Sequence, residues 1–421
     1  MHSHPTYPLS AVRTLALHAQ SLTAPTNDSA PGADRLYSTI DQMGCVQLDT
    51  LMRVERSHYI ALWSRLGSYD RAELDAMAYG QPPDLRGLGR RMFEYWMHAA
   101  CLIPLAEYRY LLPRMRWYRD GNGWRTDWTE QPENAALMKA VLKRIEKEGP
   151  LRTLDFEHAE KRAGSWWNWK PAKQALEHLF NQGRLMIADR VNFHRVYDLA
   201  ERVLPVWVDK REPTHEESQR YWLERSLKAL GICEPGGAAG MVQGFRRPEA
   251  RALIQQFIAE GVAVEVEATL ADGQAHPLVL HRDHLPVLQQ AADGALTAQR
   301  TTFLSPFDNL WWVYGRDMAF WNFRQALEAY KPKGTWTYGY FTLPILHRDR
   351  FVGRFDPKME RQTGIMRINA IYLEPKVKAD EELVAGVAAA MRDFMKFHNA
   401  TELVIEKSTP ATLRRKLLKE I

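Results

Sequence analysis

Two stretches of this chain repeat one order of elements, and that repeat constrains the fold more than any other feature. In the first, residues 134–148 have the spacing of an amphipathic helix, and a second short helix is expected over about 154–162. A third follows Pro171 and presents Leu176, Leu179 and Phe180 ahead of Gly183, before short alternating strands near 184–189 and 193–198. The order recurs with a helix at 215–230, a shorter one near 238–244, and a third after Pro248 carrying Ile254, Phe257 and Ile258 ahead of Gly261. Strands near 262–269 and 276–281 follow, joined at Asp272-Gly273, a hairpin-turn dipeptide. Both copies place apolar residues seven, four and three positions before the glycine. Three helices and a hairpin in this order are the winged-helix arrangement, a helix-turn-helix with an added wing. The apolar spacing alone also suits a plain helical bundle.

Around the repeat the chain reads as α+β. Residues 57–67 are helical and end on Gly67; Asp70 and Glu73 suggest a capping box on a short helix closing at Gly80, with a loop at 80–89. Segments 201–214 and 285–302 read as connectors. Strands are expected at 336–346, 350–355, 365–373 and 402–406, with helices at 380–398 and 414–419. Four consecutive regions follow from this: 1–130, helical or winged-helix; 131–205 and 206–300, winged-helix; and 301–421, an α/β region with a β-hairpin.

Composition narrows the class. Apolar residues at 45% and charged residues at 25% describe a folded, soluble chain, and no run approaches a membrane span. The net charge of +5 is too small to establish a nucleic-acid partner, so the distribution of charge must do so. Cys45, Cys101 and Cys233 lie far apart, which implies neither a disulfide framework nor a zinc finger and suits a reducing cytoplasm. The N-terminal residues lack the pattern of a signal peptide.

The chemistry concentrates at Val46-Gln47-Leu48-Asp49. In an extended run, alternate side chains share a face, so Gln47 and Asp49 are expected to point together while Val46 and Leu48 anchor the opposite side. An amide and a carboxylate so fixed on a strand can hold and polarise a water molecule. Residues 86–125 add eight arginines and eight aromatics against three acids and no lysine, a mixture suited to phosphate contact and base stacking, or to a solvated helix face over an aromatic core. Arg90, Arg91, Arg114 and Arg116 belong to this group, and Lys170 and Lys173 add charge in the first repeat. His98, four residues after Glu94, is expected on the same helix face, as a proton donor, a DNA contact or a buried partner of Glu94. His281-Arg282-Asp283-His284 lacks a third metal ligand, and no P-loop, GxGxxG or GxSxG motif stands in a usable context, so neither metal nor cofactor is expected.

Several ordered segments resemble the YcaQ/AlkZ family of bacterial winged-helix DNA glycosylases. They are Val46–Thr50, Arg56–Tyr59, Leu62–Gly67, Glu94–His98, Trp166–Pro171, Arg195–Leu199, Ser305–Asp308 and Tyr338–Tyr340 through Val352–Arg354. The resemblance implies tandem winged helices forming a C-shaped DNA channel, and excision of alkylated purines and interstrand crosslinks from double-stranded DNA. It assigns catalysis to Gln47 and Asp49, the Gln-apolar-Asp form of the family motif, which resembles the branch acting on N7-alkylguanine. It also implies a β-hairpin against the minor groove, here residues 342–353 with His347, Arg348 and Arg350 at the tip and Arg354 behind it. Arg53, Arg56, Glu94, Trp96 and His98 are candidate supports of the site. With no lysine beside Gln47 and Asp49, water is the expected nucleophile and the enzyme is expected to be monofunctional, monomeric and cytoplasmic, acting at the nucleoid. A non-catalytic winged-helix regulator and a hydrolase of small glycosides are the competing readings.

Overall fold

The computed structural model describes residues 6–25, 31–80, 89–123, 126–159 and 170–421. The chain divides into two compact units. The first comprises Met1–Arg71, Trp96–Cys101 and Leu223–Ile421; the second comprises Ala72–Tyr95 and Leu102–Trp222. These units cut across the four consecutive regions read from the sequence, because the chain passes between them repeatedly.

Within the second unit, the helix Pro132–Glu148 is followed by the strand Leu151–Arg152, a 3₁₀ segment at Thr153–Ala159 and the helix Lys170–Asn181. The 3₁₀ segment stands where a helix to 162 was expected, and residues 160–162 of that expectation lie outside the described residues. Strands Leu185–Val191 and His194–Leu199 complete the module, with Leu151–Arg152 paired to the last of them. Val141, Ile145, Leu176, Leu179, Phe180, Ile187 and Tyr197 form its buried interior, as the apolar spacing requires. The wing turns on Asn192 and Phe193, both at positive φ, the geometry of a tight two-residue hairpin. Phe193 holds this unusual conformation beneath the Arg190 guanidinium, 4.2 Å from its ring, which also donates to the Phe193 carbonyl at 2.8 Å.

The downstream copy follows the same order. Helix His215–Leu230, strand Ile232–Cys233, a 3₁₀ turn at Gly237–Met241, helix Arg247–Ala259, and strands Ala263–Thr269 and Ala275–His281 succeed one another. Ile232–Cys233 pairs with Ala275–His281, and Thr6–Tyr7 adds a parallel strand at the far edge. At the wing, Gly273 takes the positive φ that the turn demands and the Asp272 carboxylate accepts the Gln274 N–H at 2.9 Å.

The order occurs a third time, upstream, in the region that the sequence leaves as helical or winged-helix, where only the Val46–Asp49 run reads as a strand. Helix Ala33–Met43, strand Val46–Gln47, helices Ser57–Leu66 and Arg71–Tyr79, and strands Met92–Trp96 and Ala100–Pro104 repeat it. Residues 81–88, in the expected loop, lie outside the described residues. Glu94 through His98 was expected to be helical; instead Met92–Trp96 is a strand and His98 sits in the following turn, so Glu94 and His98 share no helix face.

The C-terminal sheet runs Thr301–Phe303, Leu343–His347, Arg350–Glu360 and Ile365–Leu373 antiparallel, then Glu402–Ile405 parallel. The helix Glu381–Phe397 begins at Asp380, whose carboxylate caps the Leu383 N–H at 2.9 Å, and packs Phe394 against Phe303 and Phe355. Two expectations are corrected here. The supposed connector 285–302 contains the helix Leu285–Ala292, in which Pro286 occupies the first turn, where proline is tolerated; Leu288 and Ala291 join the core around Ala11 and Leu15. Residues 336–342 are not a strand, because the buried Glu328 carboxylate accepts the backbone N–H groups of Thr337, Tyr338 and Gly339 and holds the segment as a loop. No helix among the described residues is long and apolar enough to cross a membrane.

Candidate active site

Every residue in the arrangement around Gln47 and Asp49 belongs to the first unit. The strand Val46–Gln47 is fixed from several sides. Asn309 donates through Nδ2 to the carbonyls of Cys45 at 2.7 Å and Met43 at 3.2 Å, the Ser57 hydroxyl donates to the Gln47 carbonyl at 2.9 Å, and the Leu48 N–H donates to the Ala100 carbonyl at 2.8 Å. Val46 and Leu48 are buried, the anchoring role their spacing suggested. Gln47 is 9% exposed, and its Oε1 accepts the indole N–H of Trp312 at 3.2 Å.

Asp49 departs from the expectation in one respect. The strand ends at Gln47, so the carboxylate stands on a turn rather than on the strand itself. The turn is held by that side chain, whose Oδ1 accepts the Leu51 N–H at 2.8 Å. Asp49 is half-buried, and burial raises its pKa above the ordinary carboxylate value; the Leu51 N–H, the charge of Arg56 and the Thr50 N–H oppose this but do not cancel it. Arg56 also donates to the Thr50 carbonyl, closing the turn.

An aromatic loop lies beside the turn. Tyr330 is 72% exposed; its phenol is held above the ordinary value by partial burial, then by the charge of Asp49 and by Tyr340. The Arg53 guanidinium lies over the Tyr340 ring at 5.7 Å, and Trp336 packs against Tyr340 at 5.6 Å. His98 stacks on Trp312 with ring centroids 4.9 Å apart and planes 11° from parallel, its Nδ1 2.8 Å from the Gly240 carbonyl. The site thus gathers Gln47, Asp49, Arg53, Arg56 and His98 from the sequence-derived candidates and adds Trp312, Tyr330 and Tyr340. Trp312 lies four residues beyond the Ser305–Asp308 segment; no local pattern marks it.

Of the other candidates, Glu94, Arg90 and Arg354 serve the fold. Glu94, in the second unit and 1% exposed, binds Arg190 through two hydrogen bonds at 2.5 and 2.8 Å, lies 3.5 Å from Arg195 and accepts the Tyr79 hydroxyl at 2.7 Å. Burial pushes its carboxyl up, but those guanidiniums outweigh it and the pKa is lowered. Arg90 was expected to contact DNA; it is buried and donates to the carbonyls of Tyr79, Ile187 and Ala188, so it is a structural arginine. Arg354 is also buried, paired with Glu374 at 2.7 Å and packed against the rings of Phe323 and Tyr338. Arg116 is exposed beside Glu212, Arg114 lies over the Tyr118 ring, Arg91 and Trp96 are half-buried, and Lys173 is 3.9 Å from Glu177. Lys170 opens its helix. At the hairpin tip Arg350 is 73% exposed, Arg348 pairs with Glu382 on the surface, and His347 shares a hydrogen bond with Thr301 at 2.8 Å. Among the described residues, no group of three or more His, Cys, Asp or Glu is arranged to hold a metal ion.

The repeated winged-helix order places the chain among helix-turn-helix folds, a class built for nucleic-acid contact. The profile of the family described as DNA glycosylase AlkZ-like matches residues 40–397, and the chain belongs to that family. Among solved structures, the DNA glycosylase AlkZ of Streptomyces sahachiroi shares the fold with a TM-score of 0.61, covering 96% of this chain and 100% of that one at 14% identity.

Proposed function

We propose that this glycosylase hydrolyses the bond between deoxyribose and N7-alkylated guanine in duplex DNA and unhooks crosslinks of the same chemistry, with water as nucleophile and no lyase step. One observation carries the reading: a half-buried carboxylate, held on its turn by the Leu51 N–H, stands two residues from an amide whose oxygen is held by the Trp312 indole. Alkylation at N7 makes the base a cation and a good leaving group. The enzyme then needs chiefly to stabilise charge at C1′ and deliver water. Asp49 performs both tasks, accepting a proton from the water as its oxygen bonds to C1′, while the C1′–N9 electron pair leaves with the neutralised base. Gln47 orients the water. A crosslinked guanine is tethered to the opposite strand, so excision proceeds with limited extrusion of the base.

Incubation with an oligonucleotide bearing N7-methylguanine is expected to leave alkali-labile abasic sites, with no covalent trapping by borohydride. Saturable, sequence-dependent binding without base release would instead describe a regulator. The pH profile is a second test. Asp49 must be ionised, so the single-turnover rate should be level at neutral pH and fall tenfold per unit on the acid side, with a midpoint above the ordinary 3.8. Asp49→Asn should abolish that acid limb. The exposed hairpin tip supplies a third test: the double variant R348A/R350A should weaken duplex binding and make the slope of log K against log salt less negative by about 1–2.

A further inference from the structure

The Ser305–Asp308 segment matched the family pattern but has no part in the chemistry just described. Its structural role is specific. Asp308 caps the following turn by accepting the Leu310 N–H at 3.1 Å, and the Trp311 indole N–H donates to the Ser305 carbonyl at 3.0 Å. Two side chains of the folded segment then reach the same short strand. Asn309 holds the backbone just before Gln47, and Trp312 holds the Gln47 side chain.

From this geometry we infer that Trp312 is a positioning residue that fixes which end of the Gln47 amide faces the substrate, with His98 holding the indole in place. This rests on the hydrolytic reading above. An indole nitrogen can only donate, so the amide must present its oxygen to Trp312 and turn its NH₂ group elsewhere. The NH₂ then donates to the water oxygen while Asp49 takes a proton from the same water, which leaves a lone pair directed at C1′. With the amide reversed, its oxygen would compete with Asp49 for the water's protons and misdirect that lone pair.

The indole itself has little freedom. Trp312 is 6% exposed. One face is covered by the His98 imidazole at 4.9 Å, nearly parallel. Gly240 approaches so closely that a Cβ there would stand 2.8 Å from the Trp312 carbonyl oxygen, a contact only glycine permits. His98 is tied to the same neighbourhood: its ring Nδ1 lies 2.8 Å from the Gly240 carbonyl, and its own carbonyl accepts from Gln243 at 3.1 Å. With Nδ1 donating to that carbonyl, His98 acts through the indole rather than as a proton donor from that nitrogen.

The test is a rate cycle on the full-length protein with N7-methylguanine duplex. Trp312→Phe keeps an aromatic ring and loses the donor. It should slow the single-turnover rate about tenfold, the scale of one buried hydrogen bond, at unchanged affinity for the duplex and at a temperature well below its melting midpoint. His98→Ala, on an exposed residue, should lose about threefold. Neither change should slow a Gln47→Ala enzyme further, because the group they orient is gone. Losses that multiply in either double variant, or a wild-type rate in W312F, would overturn the inference. Absence of base release by the wild-type enzyme would instead overturn the hydrolytic reading on which it rests.

Discussion

Asp49→Asn should slow the release of N7-methylguanine by about 10²–10³-fold while leaving binding to undamaged duplex unchanged. Asparagine preserves the shape and can still accept the Leu51 N–H at Oδ1, so the turn that presents residue 49 survives. In the proposed mechanism it loses the negative charge that would face the cationic sugar and the basicity that would accept the water's proton. The residual rate would report what the positioned amide, contacts to the duplex and the inherent lability of the cationic nucleoside contribute without a base. The measurement is a single-turnover excision assay beside a salt-matched affinity titration. A variant retaining the full rate would remove the carboxylate from the mechanism, and one losing rate and affinity together would make Asp49 a binding group.

How much of this was legible in the sequence depended on how local each cause was. The second and third winged helices were visible because Leu176, Leu179 and Phe180, and again Ile254 and Phe257, recur on one face ahead of a glycine that takes positive φ. The first copy was legible only as a region, 1–130, helical or winged-helix, and its wing was not. Its opening strand is two residues long, and its wing strand Met92–Trp96 carries buried side chains on both faces, so the alternation that marks a strand is absent. Helix Leu285–Ala292 was obscured by Pro286, which punctuates a chain in most settings but not in a first helical turn.

At the site, Gln47 and Asp49 were proposed from spacing, and their support differs, one on a strand and one on a turn. Arg90 and Arg354 looked like surface cations because composition cannot show that their partners are distant carbonyls, a carboxylate and ring faces. Trp312 could not be found this way, and Tyr340, though inside the Tyr338–Tyr340 segment, carried no sign of its place beside Arg53. Their roles exist only after the chain between residues 49 and 312 has folded back on the strand, and an indole in a helical turn reads equally well as core.

The largest effect on stability is expected from Asp308→Ala. Arg65 and Asp308 are both fully buried and meet in a two-point pair, with Oδ1 to NH2 at 2.8 Å and a second contact between NH1 and Oδ2. Arg65 also donates to the carbonyls of Gln20 and Ala61 and to the Ser64 hydroxyl, and Arg300 lies close enough to feel its charge; burial, then Arg65 and Arg35, bring the Arg300 pKa down to about 10. Removing Asp308 strands a buried guanidinium beside a second cation, which costs about 3–5 kcal/mol and should appear as a lowered denaturation midpoint. The same carboxylate caps the turn carrying Asn309 and Trp312, so excision should slow as well. The double variant R65M/D308L separates the two effects. With the charges replaced by apolar groups of similar volume, most of the midpoint should return, since burying the pair is itself costly. The cap would still be missing, so the rate should stay low. Recovery of rate together with stability would mean that the pair supports the site only through global folding, and that the cap is dispensable.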